Sequence, residues 1–252
     1  MKNKYSKILV LLTVIVLVLS FVSAEAPNKE DNKAKLGNNK INEPLDKITF
    51  IHYKDGTVKE VGRAVVGGGT CYKLLGVKWS SLPVSYVINP TNPQDLSESF
   101  VTTAIYTSAE TWDAATSKEL FNNVYTINPS ATWDDGITNP VDLKNEYVFG
   151  YYPDSKVIAV TVIWYTRYGR QIVDYDVLFN TQFTWGDATI NPTVMDLQNI
   201  ATHETGHGVG LADIYSSSCS AVTMYGYSIY GETSKRSLEQ PDIIGLQRMY
   251  GI

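Results

Sequence analysis

His203-Glu204-Thr205-Gly206-His207-Gly208-Val209-Gly210-Leu211-Ala212-Asp213 is the stretch on which the reading of this 252-residue chain turns. Histidines four apart on a helix lie one turn above the other on the same face. The imidazoles of His203 and His207 can therefore grip one metal ion from the same side. Glu204 follows the first histidine directly, where a carboxylate can act as a base without being a ligand. A catalytic zinc takes three protein ligands and keeps a fourth position open, so a third ligand must come from elsewhere. The one other histidine, His52, is far upstream. Asp213 is nearer, six residues after His207, with Gly210 midway between them. Glycine takes the backbone conformation that ends a helix and turns the chain back.

Outward from that stretch, the chain is long enough for one substantial domain with an N-terminal extension. A hydrophobic content of 44% with 12% aromatic residues supports a real core. Charge is unevenly placed. Residues 1–70 carry 11 Lys/Arg against 7 Asp/Glu, a net of +4, and residues 71–252 carry 10 against 19, a net of −9. An acidic main domain is a poor partner for nucleic acid. Its carboxylates suit either a solvated surface or structural calcium. Residues 1–24 have the layout of a secretory signal: Lys2, Lys4 and Lys7, an apolar run from Ile8 to Val22, then Val22-Ser23-Ala24. The competing reading is an uncleaved N-terminal anchor. No later stretch is apolar enough to span a membrane, so export and an extracellular location are expected.

Residues 25–46 are polar and read as a flexible linker. Residues 47–65 alternate around Asp55-Gly56 and read as a β-hairpin, with His52 in a structural or exposed place. The run Gly67-Gly68-Gly69 marks a boundary. Leu82 to Ile88 reads as a strand, and Asp95 to Leu120 as an amphipathic helix with Val101, Ala104, Ile105, Trp112 and Ala115 on one stripe. Residues 121–156 are loop-rich, and Asp134, Asp135, Asp142 and Asp154 are candidate calcium ligands without EF-hand spacing. Val157 to Trp164 is a continuous apolar run, the pattern of a buried central strand. Gln171 to Phe179 alternates, with Asp174 and Asp176 on the face opposite Val173, Tyr175, Val177 and Phe179. Val194 to Gly208 is the helix of the opening stretch.

The opening stretch reads H-E-x-x-H-x-x-G-x-x-D and resembles the metzincin signature H-E-x-x-H-x-x-G-x-x-H. Aspartate replaces the last histidine, as in snapalysin-like metzincins. Ser220 to Tyr227 is similar to the metzincin methionine turn, in which a methionine, here Met224, floors the zinc ligands. Leu238 to Gly251 resembles the matrixin ending L-S-x-D-D-I-x-G-I-Q-x-L-Y-G. Lys78-Trp79, Pro83-Val84-x-Tyr86-x-Ile88-Asn89 and Glu110-x-Trp112-Asp113-x-Ala115-Thr116 are similar to the start of matrixin catalytic domains. The resemblance is closest over 195–251 and absent before Cys71.

The resemblance implies an α+β fold: a twisted mixed β-sheet with a long N-terminal helix, a zinc-binding helix and a C-terminal helix. Together with the signal layout and the glycine run, it divides the chain into a signal peptide (1–24), a linker or propeptide (25–70) and a peptidase domain (71–252). It implies a monomeric, secreted zinc endopeptidase acting on proteins or peptides, with His203, His207 and Asp213 on zinc and Glu204 as general base. Tyr225 and Tyr227 are available to assist at the oxyanion or to wall a pocket. Two alternatives stand beside this reading. One is a secreted zinc-binding or adhesion module of the same fold without turnover, in which Glu204 would have no task. The other takes the third ligand from Glu232, as in gluzincins. Cys71 and Cys219 form a disulfide in an oxidising exterior, or else Cys71 serves as a latency thiolate, although its surroundings do not match the matrixin motif P-R-C-G-x-P-D.

Overall fold

The computed structural model describes residues 35–36, 39–54 and 70–252. The expected signal over residues 1–24 and the Asp55-Gly56 turn of the expected hairpin lie outside the described residues. In chain order the elements are β1 (Lys35–Leu36), β2 (Asn39–Lys40), β3 (Leu45–Lys54), β4 (Tyr86–Ile88), α1 (Glu98–Asp113), β5 (Thr126–Ile127), β6 (Asn145–Gly150), β7 (Val157–Thr166), β8 (Ile172–Asn180), β9 (Trp185–Gly186), β10 (Met195–Asp196), α2 (Leu197–Gly208), β11 (Tyr227–Ser228) and α3 (Gln240–Tyr250). Seven strands form one mixed sheet in the order β11-β3-β7-β8-β6-β4-β5. β7 runs antiparallel to both of its neighbours, and the other pairings are parallel. The α+β architecture read from the resemblance is the one observed.

The sheet is buried on both faces, which is why β7 reads as a continuous apolar run. One face packs on α1 and α2 through Trp112, Phe121, Tyr147, Tyr175, Phe179 and Ile200. The other face is covered by the loop before β6, with Ala131, Val148, Val160, Val162, Trp164 and Leu178 in its core. Asp174 and Asp176 lie on that second face and are fully buried, because the loop closes over them. Alternation in the sequence gives the faces of β8 from Asp174 onward but not what covers each face; a register shift opposite Trp164 and Tyr165 puts Ile172 on the helix side and Val173, expected there, on the loop side.

α1 is shorter than the expected Asp95 to Leu120. Ser97 caps its start by accepting from the Phe100 amide at 3.2 Å. The Asp113 carboxylate accepts from the Leu120 amide at 2.7 Å, folding the chain back past the helix end. The two main helices lock together through polar contacts: Trp112 Nε1 donates to the Thr202 carbonyl at 2.8 Å, and Thr202 Oγ1 to Ser108 Oγ at 3.0 Å. α3 starts with Pro241 in its first turn and a reciprocal cap between Glu239 and Asp242.

One expectation for the N-terminal extension changes. Residues 41–46 are held rather than flexible: Glu43 accepts from the Tyr168 and Gly169 amides at 2.9 and 3.1 Å, and Asp46 pairs with Arg167 at 2.8 Å. The second arm of the expected hairpin lies outside the described residues; among those described, β3 finds its partners far away in the chain. It lies antiparallel along β7 from Leu45↔Thr166 to Tyr53↔Val157 and parallel to β11 at Tyr53↔Tyr227. A strand pattern specifies faces, whereas its partner is set by whichever edge is open. Cys71 and Cys219 are joined in a disulfide spanning 148 residues, which leaves no free cysteine. No helix of the described residues is long and apolar enough to cross a membrane.

Gly206 lies where α2 meets the rest of the core. A Cβ there would come 2.3 Å from Met224 Sδ and 2.6 Å from Trp112 Cζ2. Trp112 is fully buried and has no room to give. Gly206→Ala is therefore expected to cost about 1–3 kcal/mol through overpacking, read from urea unfolding. An unchanged midpoint would show that both side chains can move aside.

Candidate metal centre

α2 is started by Asp196, whose carboxylate accepts from the Asn199 amide at 2.8 Å and is held in place by Arg236 Nε at 2.8 Å. One turn carries His203 and the next His207, with ring centroids 4.8 Å apart. The helix stops at Gly208, and Gly210 takes φ +102°. That left-handed turn needs glycine twice over, since a Cβ would also lie 2.6 Å from the Val77 carbonyl. The turn brings Asp213 back beneath the helix. Asp213 Oδ1 lies 3.1 Å from His203 Nε2 and 3.4 Å from His207 Nε2.

The second nitrogen of each ring is already used. His203 Nδ1 donates to the Thr223 carbonyl at 2.7 Å, and His207 Nδ1 to the Leu211 carbonyl at 2.9 Å. These bonds fix the tautomer and aim each Nε2 lone pair at the same point. The Tyr215 hydroxyl donates to Asp213 Oδ2 at 3.0 Å, leaving Oδ1 to face the histidines. His203 Nε2, His207 Nε2 and Asp213 Oδ1 are all buried without a hydrogen-bond partner among the described residues. Buried polar atoms are otherwise paired. Three orphans within 4.8 Å of one another, two imidazole nitrogens and a carboxylate oxygen, are a donor set that fits a catalytic zinc ion.

The electrostatics agree. Burial pushes the His203 imidazole down to about 4 and so favours its neutral form, the form that can ligate a metal. Burial opposes charge on His207 too, but the neighbouring Asp213 carboxylate outweighs it and moves the imidazole above its usual value. Burial would also raise Asp213, yet the imidazoles, His207 foremost, hold it far below the usual carboxylate range.

Glu204 is fully buried, and both of its oxygens are engaged. Oε2 accepts from Thr161 Oγ1 at 2.5 Å, and Oε1 from His52 Nδ1 at 2.8 Å. Burial pushes its carboxyl above the usual range, against the pull of His203 and His207. His52 is therefore neither exposed nor one of the three converging ligands. It is buried against Glu204, with its Nε2 3.1 Å from Ser228 Oγ. Met224 is buried against Gly206, under the helix turn that separates the two histidines. The Thr223 and Met224 amides donate to Asp242 at 2.9 and 3.2 Å, so the cap of α3 holds the turn that orients His203. Tyr225 and Tyr227 meet edge to face at 5.6 Å, beside the loop rather than among the converging ligands. Glu232 is paired with Lys235 at 2.7 Å and is not in the ligand group.

Four contributors escaped the reading of the sequence. Thr161 is the lone polar residue in the apolar run Val157 to Trp164, which is a usable signal. His52 is the lone histidine outside the motif. Asp242 follows Pro241 in a helix's first turn, where a carboxylate can cap neighbouring amides. Tyr215, two residues past Asp213, carries no such mark.

A second carboxylate group gathers on the far face of the sheet. Asp134 joins Asp174 and Asp176 in one set, and Asp142 and Glu146 in another. The Asp134 and Glu146 amides donate to Asp176 at 2.6 and 2.8 Å, and the Leu143 amide to Asp174 Oδ2 at 3.0 Å. Asp174 Oδ1 is buried without a partner among the described residues. Asp135 and Asp154, also named from the sequence, cap their own turns instead.

The matrixin family profile matches residues 78–251. Neutrophil collagenase of Homo sapiens is 31% identical over 180 residues, covering 69% of this chain and 34% of the collagenase. Metalloendoproteinase 1 of Glycine max is 44% identical over 69 residues, covering 27% of this chain and 21% of that protein. These alignments thus span about a third or less of the relatives' length.

If Asp213 completes the ligand set, Asp213→Ala lowers bound zinc well below one per chain, while Asp213→His retains it. Metal analysis after dialysis reads both. Equal zinc in Asp213→Ala and the parent would remove Asp213 from the set.

Proposed function

We propose that this chain, which belongs to the matrixin family, is an exported zinc-dependent endopeptidase that hydrolyses bonds in proteins or peptides. The observation that carries the reading is the convergence of three buried, unpartnered ligand atoms beside the carboxylate of Glu204. His203, His207 and Asp213 would hold the ion. When bound, such an ion supplies polarisation of a carbonyl and a water acidified towards neutral pH.

The remaining work falls to this chain's own side chains. Thr161 fixes Glu204 Oε2, so the proton-accepting oxygen is Oε1, once His52 no longer donates to it. Burial that raises the Glu204 carboxyl makes it a better proton holder, and the same group can return the proton to a leaving amine. The carbonyls of Thr223 and Leu211 keep both imidazoles from rotating. Export is supported by the basic, apolar and small-residue succession of residues 1–24 and by the Cys71–Cys219 disulfide, which persists in oxidising compartments.

The buried cluster of Asp134, Asp174 and Asp176 supports a structural calcium ion, which takes carboxylate oxygens. Burial, reinforced by neighbouring carboxylates, pushes Asp174 and Asp176 well above the usual range. The sign follows from linkage. A carboxyl whose folded pKa is raised contributes stability that is complete below its unfolded value, about 3.9, and lost as pH rises through the folded value. Calcium binds the deprotonated group and offsets that loss.

Two outcomes are expected. Glu204→Ala keeps zinc and loses peptide turnover by about a hundredfold to ten-thousandfold, and wild-type turnover in that variant would sink the mechanism. The rise in melting temperature on adding calcium grows as pH increases from acid to neutral, and Asp174→Asn abolishes it. A calcium response independent of pH and of Asp174 would place the ion elsewhere.

A further inference from the structure

Each of the three converging atoms belongs to a side chain with a second polar atom, and each second atom is held. His203 Nδ1 donates to the Thr223 carbonyl at 2.7 Å, and His207 Nδ1 to the Leu211 carbonyl at 2.9 Å. The third anchor is of another kind. Asp213 Oδ2 accepts from the Tyr215 hydroxyl at 3.0 Å, two residues along the chain. A side-chain hydroxyl does for the carboxylate what backbone carbonyls do for the rings.

The third ligand needs its anchor more than the other two. A neutral imidazole offers one lone pair to an ion, and its second nitrogen points away. A carboxylate has two equivalent oxygens and binds a cation through one or through both. Through both, it crowds the position that a catalytic zinc keeps open. Left unheld, it also turns about its own bonds and must be ordered each time an ion binds, which weakens binding. Asp213 is buried, where a hydrogen bond to its carboxylate is stronger than in water.

The Tyr215 ring is itself placed. The Ile214 amide donates to the Met224 carbonyl at 2.8 Å, and the Gly226 amide to the Ile214 carbonyl at 3.0 Å. This parallel bridge brings the ring against Gly226, where a Cβ would come 2.5 Å from Cε1 and 2.7 Å from Cζ. The Tyr227 ring packs on it edge to face at 5.1 Å. The turn that holds His203 through Thr223 thus also holds Asp213, through a tyrosine seated on its glycine.

We propose that Tyr215 is a positioning residue that restricts Asp213 to one oxygen, so that the Asp213–Tyr215 pair acts as one unit to supply the third ligand and leave the fourth position open. The proposal rests on the reading of His203, His207 and Asp213 as the ligand set, and it gives the second oxygen of the carboxylate a fixed task.

The test compares the full chain with Tyr215→Phe, which removes the hydroxyl and keeps the ring. Zinc affinity is measured by competition with a chelator. Cobalt(II) is then put in place of zinc, because its visible absorption is strong with four ligands and weakens as ligands are added. Tyr215→Phe is expected to bind zinc about tenfold to a hundredfold more weakly. Its cobalt bands are expected to weaken as the freed Oδ2 joins the ion. Parent-like zinc affinity overturns the proposal whatever the bands do. Weaker affinity with the bands of the parent also overturns it, because Tyr215 would then support the fold and not the ligand. Asp213→Ala tells this failure from failure of the ligand set. If it binds zinc as tightly as the parent, Asp213 is no ligand and both readings fall. If it binds weakly while Tyr215→Phe matches the parent, only the role of Tyr215 is lost. Neither measurement depends on peptide turnover.

Discussion

Three candidate ligand atoms, His203 Nε2, His207 Nε2 and Asp213 Oδ1, meet in the interior without a hydrogen-bond partner among the described residues. Leaving buried polar groups unpaired costs on the order of 1–3 kcal/mol each. The surrounding structure is arranged to keep them so. Asp196 starts the helix, Gly210 ends it with a turn that other residues would strain, and carbonyls of Thr223 and Leu211 take the opposite ring nitrogens. Asp242 spends its carboxylate on the amides of Thr223 and Met224 as well as on its own helix start. A cap in the last helix thereby sets the angle of a ring two elements earlier. The disulfide fastens the loop between them to the start of the domain.

Much of this was legible in the sequence because it is local. Spacing of four puts His203 and His207 on one face, Gly210 announces a turn, and Asp213 is within reach of that turn. The methionine and the terminal helix follow at short range. The periodic elements were legible too: β7 as an apolar run, α1 as a stripe, β8 as an alternation. The illegible parts join residues far apart. His52 and Glu204 are separated by 152 positions, and Thr161 and Glu204 by 43. Nothing in the stretch around His52 says which edge its strand will find. Asp174 and Asp176 show the same limit. Their alternation gave the correct face of β8, while only the loop from a distant part of the chain decides that this face is dry.

The same distance argument explains why the N-terminal extension misled. A polar segment reads as a linker when judged alone. Its order comes from partners outside itself: Glu43 on the β7–β8 turn, Asp46 on Arg167, and nine register pairs with β7. β7 has the composition of an inner strand, and it is inner because β3 flanks it.

The same strand also meets the centre without joining it. His52 donates to Glu204, whose other oxygen accepts from Thr161 of β7. The rings of Phe50 and His52 lie on those of His207 and His203. The hydrogen bonds that orient the three converging atoms come from other elements, through the Thr223 and Leu211 carbonyls and the Tyr215 hydroxyl. Packing from β3 and orientation from the turns after α2 are thus supplied by different residues.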